Sequence, residues 1–216
     1  MVLIVAVAGA YVFMRSRQQS NSQNNSTPET LALAPGAEPP HVRGNANAPV
    51  TVEEFGDFQC PTCGTYYGEM KKIEAEYGDR LKVIFRQLPL SMHEHALMAA
   101  QAAEAAGMQG KFWEMHDKLY ENQTTWTTAK DLLPVFVDYA KQIGLNPDQF
   151  VKDLNSETVA TRIFQDGKRA HTLNFKGTPS FLVNGKEPQG DQWRPEGLRQ
   201  MINEALKEAG QQPPSK

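Results

Sequence analysis

The sequence predicts an α/β protein: a parallel βαβ unit, a long helical block, then a short β-hairpin and a closing helix. Three observations carry this. Residues 50–58 and 81–87 alternate with the two-residue period of strands, and a helical pattern separates them. Residues 92–175 carry almost only helical patterns. Strand character returns at 180–183 and is followed by Asn184-Gly185, a strong two-residue hairpin signal.

In the first strand Val50, Val52, Glu54 and Phe58 share one face, and Thr51, Glu53, Phe55 and Asp57 share the other. Apolar residues on both faces indicate a strand covered on two sides. From Pro61 the pattern turns helical through Tyr66, Met70, Ile73 and Tyr77, and Gly78 stops it. In the second strand Leu81, Val83 and Phe85 alternate with Lys82, Ile84 and Arg86. Strand, helix and strand in so short a stretch predict two parallel strands with a right-handed crossover. The helical block begins with an alanine-rich segment, 96–106, ending at Gly107. Residues 111–120 place Phe112, Met115, Leu119 and Tyr120 at helical spacing. Helices over 131–143 and 156–173 follow, with a shorter one from Pro147 between them; Pro134 is tolerable in a first turn. After the hairpin turn, Pro188 interrupts the partner strand and assigns it to an edge. The last helix, 195–209, faces Leu198, Met201, Ile202 and Ala205 inward, and 211–216 reads as a frayed tail.

Residues 1–14 are apolar or small, and Arg15 and Arg17 follow at once. The run is short for a spanning helix and suits a signal-peptide core or a marginal anchor. Only the terminal amine precedes it as a positive charge, and arginines on its far side fit poorly with an exported C-terminus. The expectation is that the start residue is misplaced and a basic stretch is lost; the alternative is an unusual anchor. The tract that follows is rich in Asn, Gln, Ser and Pro and reads as a flexible tether. The expected organisation is a signal or anchor segment 1–17, a linker 18–45, an α/β domain from 46–90 and 176–210, an inserted helical domain 91–175, and a tail 211–216. Such a layout implies an extracytoplasmic body, tied to a membrane or released from it.

The chain has 216 residues and a net charge of −3 with both signs scattered, so no basic stripe invites a nucleic acid. Its two cysteines, Cys60 and Cys63, lie three positions apart. A loop that small staples a fold poorly, because disulfide stabilisation grows with loop length. The pair therefore reads as chemistry. Cys60 stands between a strand and a helix, and Pro61 fits the first helical position, where a missing N–H is harmless. Free backbone N–H groups and the helix dipole then favour a Cys60 thiolate. Cys63, on the same helical face, can reach that sulfur and resolve a mixed disulfide. Two other readings stand beside this: half of a zinc site, with His93 and His95 as proposed ligands, and an inert structural disulfide.

Glu54 lies six residues before Cys60 on the face shared with Val50 and Val52. A carboxyl under the thiol pair would have a raised pKa and could take the proton of Cys63; alternatively it is a sheet-edge glutamate reaching water. Asp57 and Glu53 are expected to be solvated. Thr178-Pro179 precedes a strand, where a cis bond is one way to fit the proline, although ordinary X-Pro bonds are mostly trans. His93 and His116 are candidates for lining the site but read as capping or packing residues. Met92, Met98, Phe112 and Trp113 are expected in the core.

Phe55-Gly56-Asp57-Phe58-Gln59-Cys60-Pro61-Thr62-Cys63 resembles the active-site segment of the DsbA-like thioredoxin proteins. Gly110-Lys111-Phe112-Trp113-Glu114-Met115-His116 is similar to their helical-domain motif, and Gly177-Thr178-Pro179-Ser180-Phe181 with Asn184-Gly185 to their cis-proline loop and hairpin. The likeness spans residues 49–209, with the motifs in the family's order. It implies a thioredoxin-like fold with an inserted all-helical domain. It implies that Cys60 is the exposed nucleophile, Cys63 the resolving thiol and Glu54 the buried acid. Pro179 would be cis beside the cysteines, and Pro61, Thr62, Thr178 and Pro179 would meet a bound peptide. The redox-active Cys60–Cys63 disulfide would serve without a further cofactor or metal. Pro-Thr between the cysteines departs from the Pro-His of the best-known members and removes a cation beside the thiolate. Tethered members similar to this chain pair with a quinone-linked membrane oxidase.

Three functions follow as expectations. The first is an oxidase passing disulfides to cysteine-containing exported polypeptides, in the periplasm or on the outer face of a bacterial cytoplasmic membrane. The second is a reductase or isomerase on the same scaffold. Isomerases of this type usually carry a dimerisation domain, for which the tether leaves no room; a monomer is expected. The third is a chaperone-like peptide-binding module whose cysteines are incidental.

Overall fold

The computed structural model describes residues 34–214. The expected signal or anchor segment 1–17, and the expected linker up to residue 33, lie outside the described residues. The described chain opens with β1 (His41–Gly44), β2 (Val50–Gly56), α1 (Pro61–Tyr77) and β3 (Leu81–Gln87). Six helices follow: α2 (Ala96–Met108), α3 (Phe112–Glu121), α4 (Gln123–Trp126), α5 (Leu132–Gln142), α6 (Pro147–Leu154) and α7 (Glu157–Thr172). The chain then returns to the sheet as β4 (Ser180–Val183) and closes with α8 (Pro195–Glu208).

The sheet has the order β1-β3-β2-β4. β2 and β3 are parallel, Val50 opposite Leu81 and Gly56 opposite Gln87, as a helical crossover through α1 requires. β1 and β4 are antiparallel strands on the two edges. Both faces of β2 are covered, which is why its apolar residues do not alternate with polar ones. Val50 and Val52 join Tyr66, Met70 and Ile73 of α1 and Leu198 and Ile202 of α8 in one cluster. Phe55 packs on the opposite face with Leu182 and with Ala170 of α7.

A further cluster fills the helical block, from the alanines of α2 through Phe112, Met115 and Leu119 to Trp126, Phe136 and Phe150. Phe58, Cys60, Cys63 and Phe85 belong to that same cluster. The cysteines thus sit where the ends of the parallel strands meet the helices. Three helices of the block begin with side-chain caps: Asp131, Asn146 and Ser156 accept from the backbone N–H of Leu133, Gln149 and Val159. The single turn α4 was not expected from the sequence; the buried Trp126 anchors it, its indole donating to the Leu119 carbonyl at 2.7 Å.

The structure corrects four expectations. The linker does not extend to residue 45: residues 34–44 are ordered, with Ala34 and Ala37 buried and 41–44 forming β1. The cause is a buried charge cluster. Arg86, 4% exposed, donates to the carbonyls of Pro35 and Ala37 and to the carboxylates of Glu53 and Asp166. Arg169 donates to the Ala34 carbonyl and both Glu53 oxygens. Gly36 takes φ +87, and a Cβ there would lie 2.7 Å from the Arg86 guanidinium, so only glycine lets the segment pass. Glu53 is therefore buried and ion-paired, and Asp57 is buried as well, where both were expected in water. The strand after Asn184-Gly185 is reduced to one bridge between Val183 and Lys186. Met92 is 81% exposed, in a loop, because α2 begins only at Ala96; Phe112 is in the core, and Met98 and Trp113 are partly buried against it. The described part of the tail is tied down, Gln211 N–H donating to the Leu206 carbonyl and Arg80 to the Gln212 carbonyl. No described helix is long and apolar enough to cross a membrane.

Candidate active site

β2 ends at Gly56 rather than Phe58, and a side chain at Gly56 would come within 2.5 Å of the Phe85 ring. The turn that follows is built by Asp57. One carboxylate oxygen accepts from Gln59 N–H at 2.8 Å, an Asx turn, and the Asp57 carbonyl accepts from Cys60 N–H. The other oxygen accepts from Leu90 N–H at 2.9 Å and lies 2.7 Å from His93 Nδ1. His93 therefore ties the loop after β3 to the cysteine turn. Gln123, from α4, donates to the carbonyls of Phe58 and Cys60 at 2.7 and 2.9 Å. The turn carrying Cys60 is thus held from the sheet side and from the helical block.

Cys60 is the N-cap of α1, in extended conformation, with Pro61 at the first helical position. Both cysteines are free thiols in this structure. Cys63 has no exposed surface and Cys60 only 6%, so the nucleophile is recessed rather than prominent. Pro61 and Thr62 are exposed beside it, and Thr178 and Pro179 are half-buried. The Thr178–Pro179 bond is cis. In its protonated form Cys60 donates to the Thr178 carbonyl at 3.5 Å, and the buried Thr178 hydroxyl, without another hydrogen-bond partner among the described residues, is left to donate to the sulfur when it ionises.

The two thiols are pushed in opposite directions. Cys60 is lowered from 9.0 to about 5, first by a hydrogen bond from the Cys63 thiol, then by the Thr178 side chain and the backbone N–H groups of Cys63 and Thr62. Partial burial works against this and is outweighed. Cys63 is driven far above the ordinary range, first by burial, then by its bond to Cys60 and by the charge of Glu54. One sulfur is a thiolate at neutral pH, and the other keeps its proton. Glu54, 4% exposed, is raised from 4.5 to about 8, chiefly by burial and secondly by Glu74, with Arg43 opposing. Its negative form acts on Cys63 and is not among the leading influences on Cys60.

His116 is buried against Phe58, Phe85, Trp113 and Tyr120, and burial lowers it to about 4. A neutral imidazole supplies no cation to the thiolate. The groups that depress Cys60 are therefore neutral donors, which explains how the site dispenses with a histidine between the cysteines. Among the described residues no cluster of three metal-binding side chains is found. Sequence reasoning missed Gln123, for which no local signal exists, and misjudged Asp57, whose position just before the cysteine turn is the signal for an Asx turn. It put Tyr120 at helical spacing with Phe112, Met115 and Leu119 without assigning it to the site.

A family model described as thioredoxin matches residues 37–204. Among solved structures, oxidised BdbD from Bacillus subtilis superposes with a TM-score of 0.69 at 28% identity, covering 80% of this chain and 97% of that one. A thioredoxin-like oxidoreductase from Silicibacter pomeroyi gives 0.64 at 28% identity, covering 78% and 92%. The α-DsbA2 protein of Wolbachia pipientis, at 21% identity, 0.64, and coverage of 76% and 86%, shares the fold. Among curated proteins, the Na(+)/H(+) antiporter NhaA 1 of Salinispora arenicola is 42% identical over 151 residues, 69% of this chain but 22% of that protein. The chain spans less than a third of the length of such relatives; for the NhaA of Herminiimonas arsenicoxydans the share is 29%, at 30% identity over 88% of this chain.

Proposed function

The chain belongs to the thioredoxin family as a DsbA-like protein disulfide oxidoreductase, and on that premise we propose that it works as an oxidase, introducing disulfides into exported proteins. The Cys60–Cys63 disulfide is the oxidant. A client thiolate attacks the Cys60 sulfur, the Cys60–Cys63 bond breaks, and Cys63 leaves with the electron pair and is protonated. A second client thiolate then attacks the client sulfur of the mixed disulfide and expels Cys60 as a thiolate. The client has lost two electrons and two thiol protons, and the enzyme holds the dithiol.

The observation that carries the direction is the depressed Cys60. A thiol that ionises easily leaves easily, and its thiolate stabilises the reduced enzyme. The folded-state pKa lies below the ordinary one, so this stabilisation is complete above about pH 9 and disappears as the pH falls through about 5. At neutral pH the reduced form is favoured and the disulfide is correspondingly oxidising. Return to the disulfide uses the same atoms in reverse: Cys60 attacks a disulfide of the recycling partner, and Cys63 closes the ring while Glu54 takes its proton. The membrane-bound, quinone-linked thiol oxidase expected from the resemblance supplies a partner of the right chemistry. Disulfide formation also requires an oxidising compartment, which agrees with an extracytoplasmic site beyond the N-terminal apolar segment. Pro61, Thr62, Thr178 and Pro179 border the recessed sulfur and form the surface a client strand would meet. Ion transport by the antiporter-named relatives is not carried over to this chain.

Equilibration with defined glutathione ratios tests the direction. The expected potential lies between about −180 and −120 mV. A value near −270 mV, that of a reducing thioredoxin, would transfer the site to the reductase reading.

A further inference from the structure

Tyr120, on α3, is 6% exposed, and its phenolic oxygen is buried with no hydrogen-bond partner among the described residues. Leaving a buried hydroxyl unpaired is unfavourable, and here the ring is locked in place. Its centroid lies 4.9 Å from Phe58, 5.0 Å from His116 and 5.4 Å from Tyr67. The hydroxyl hangs over the end of β2, where a Cβ built on Gly56 would lie 3.0 Å from it. Gly56 is two residues past Glu54 and four before Cys60.

The groups around this hydroxyl leave few uses for it. Burial holds its proton on, and negative charge on Cys63, Glu54, Asp57 or Cys60, when present, acts in the same direction. Asp57 already accepts from Gln59 and Leu90 and meets His93. His116 is turned to Asp117, and the Tyr67 hydroxyl donates to Glu121. Arg43, which moderates Glu54, gives Nη2 to Asp117 and to the Trp113 carbonyl and lies 3.6 Å from Glu74; its buried Nη1 has no hydrogen-bond partner among the described residues, but as a donor it cannot accept the phenolic proton. Cys60 draws its donors from Cys63, from Thr178 and from the helix N-terminus. Gln87, opposite Gly56 in the ladder, also keeps a buried side-chain oxygen without a partner among the described residues; of the charged groups, what remains is the charge that Glu54 and Cys63 share when the second thiol acts.

We propose that Tyr120 is a positioning residue for the resolving thiol, idle in the dithiol and donating its O–H to the Glu54–Cys63 charge as the ring closes. The inference rests on the reading of Glu54 as the proton acceptor of Cys63. In that step the Cys63 sulfur bonds to Cys60, the bond from Cys60 to its partner's sulfur breaks, and the partner leaves as a thiolate. The Cys63 proton goes to Glu54. A donor beside Glu54 raises the fraction of carboxylate ready to accept that proton.

The reduced protein mixed with dithiobis-nitrobenzoate releases one coloured thiolate when Cys60 reacts and a second when Cys63 closes the ring, so the two steps are read separately across pH. Tyr120→Phe is expected to leave the first release unchanged. It should slow the second about tenfold at neutral pH, the effect of one charge-assisted hydrogen bond, and move its pH midpoint upward. Glu54→Gln should remove that midpoint, and Tyr120→Phe should add little in its background. Tyr67→Phe, which changes the neighbouring ring, should match the parent protein. If Tyr120→Phe does not fold, Tyr120→Met gives the same reading. An unchanged second release, or a slowing equal at every pH, overturns the role of Tyr120 while Glu54→Gln still acts. A Glu54→Gln variant that keeps the parental profile overturns the Glu54 reading itself.

Discussion

Cys60→Ser is expected to reduce disulfide transfer by roughly 10³-fold or more, while Cys63→Ser turns the enzyme into a trap. The first change removes the only sulfur of the pair with exposed surface and the only one that ionises near neutral pH. The second leaves Cys60 able to exchange but unable to be released from within, so mixed disulfides with cysteine-containing clients accumulate and survive non-reducing electrophoresis. The choice of substituent at position 63 carries further information. The largest influence lowering Cys60 is the hydrogen bond from Cys63. A serine hydroxyl can replace that donor, whereas Cys63→Ala cannot, so Cys60 in the alanine variant should titrate higher than in the serine variant. A chaperone-like module with incidental cysteines would keep its activity in all three variants.

Glu54→Gln is expected to stabilise the protein while impairing ring closure. Glutamine reproduces the shape of the neutral acid but cannot ionise. The sign follows from the raised pKa. Unfolded, Glu54 ionises at about 4.5; folded, at about 8. Between those values the unfolded chain gains from ionisation that the fold resists, so the parent protein loses stability as the pH climbs through that window. The variant escapes this loss. Its advantage should be absent below pH 4.5, reach roughly 3 kcal/mol at pH 7 and level off above pH 8. In a chain of this size that corresponds to a melting temperature higher by about 10 °C. Paired thermal melts at pH 4 and pH 7.5 measure it; equal stabilities at both values would mean that Glu54 ionises freely. A carboxyl held against its own ionisation is the usual signature of a group retained for chemistry at the expense of stability.

The elements that carry the site were legible because their signals are local. The alternation of β2, proline after Cys60, the helical spacing of Tyr66, Met70, Ile73 and Tyr77 and the stop at Gly78 all lie within one βαβ unit. What the sequence hid depends on partners far along the chain. Nothing near residues 34–44 announces a strand; that segment is held because Arg86 and Arg169 need its carbonyls. Glu53 reads as solvated until Arg169, 116 positions away, is brought against it. Gln123 is an ordinary polar residue until α4 sets its amide on the carbonyls of Phe58 and Cys60. The depression of Cys60 was expected from the helix terminus, but its largest cause, the second thiol, emerges only when the geometry is known. Met92 illustrates the opposite failure: a methionine beside a helical pattern suggests the core, yet the helix starts four residues later.

Ultraviolet absorbance of the thiolate, followed as the reduced protein is titrated, tests the central claim most directly. One thiolate should appear with a midpoint near pH 5, and the second should stay absent through the alkaline range in which a free cysteine ionises. A first midpoint near 8.5, that of an unperturbed cysteine, would contradict the account, because neither an easy leaving group nor a stabilised dithiol would then exist.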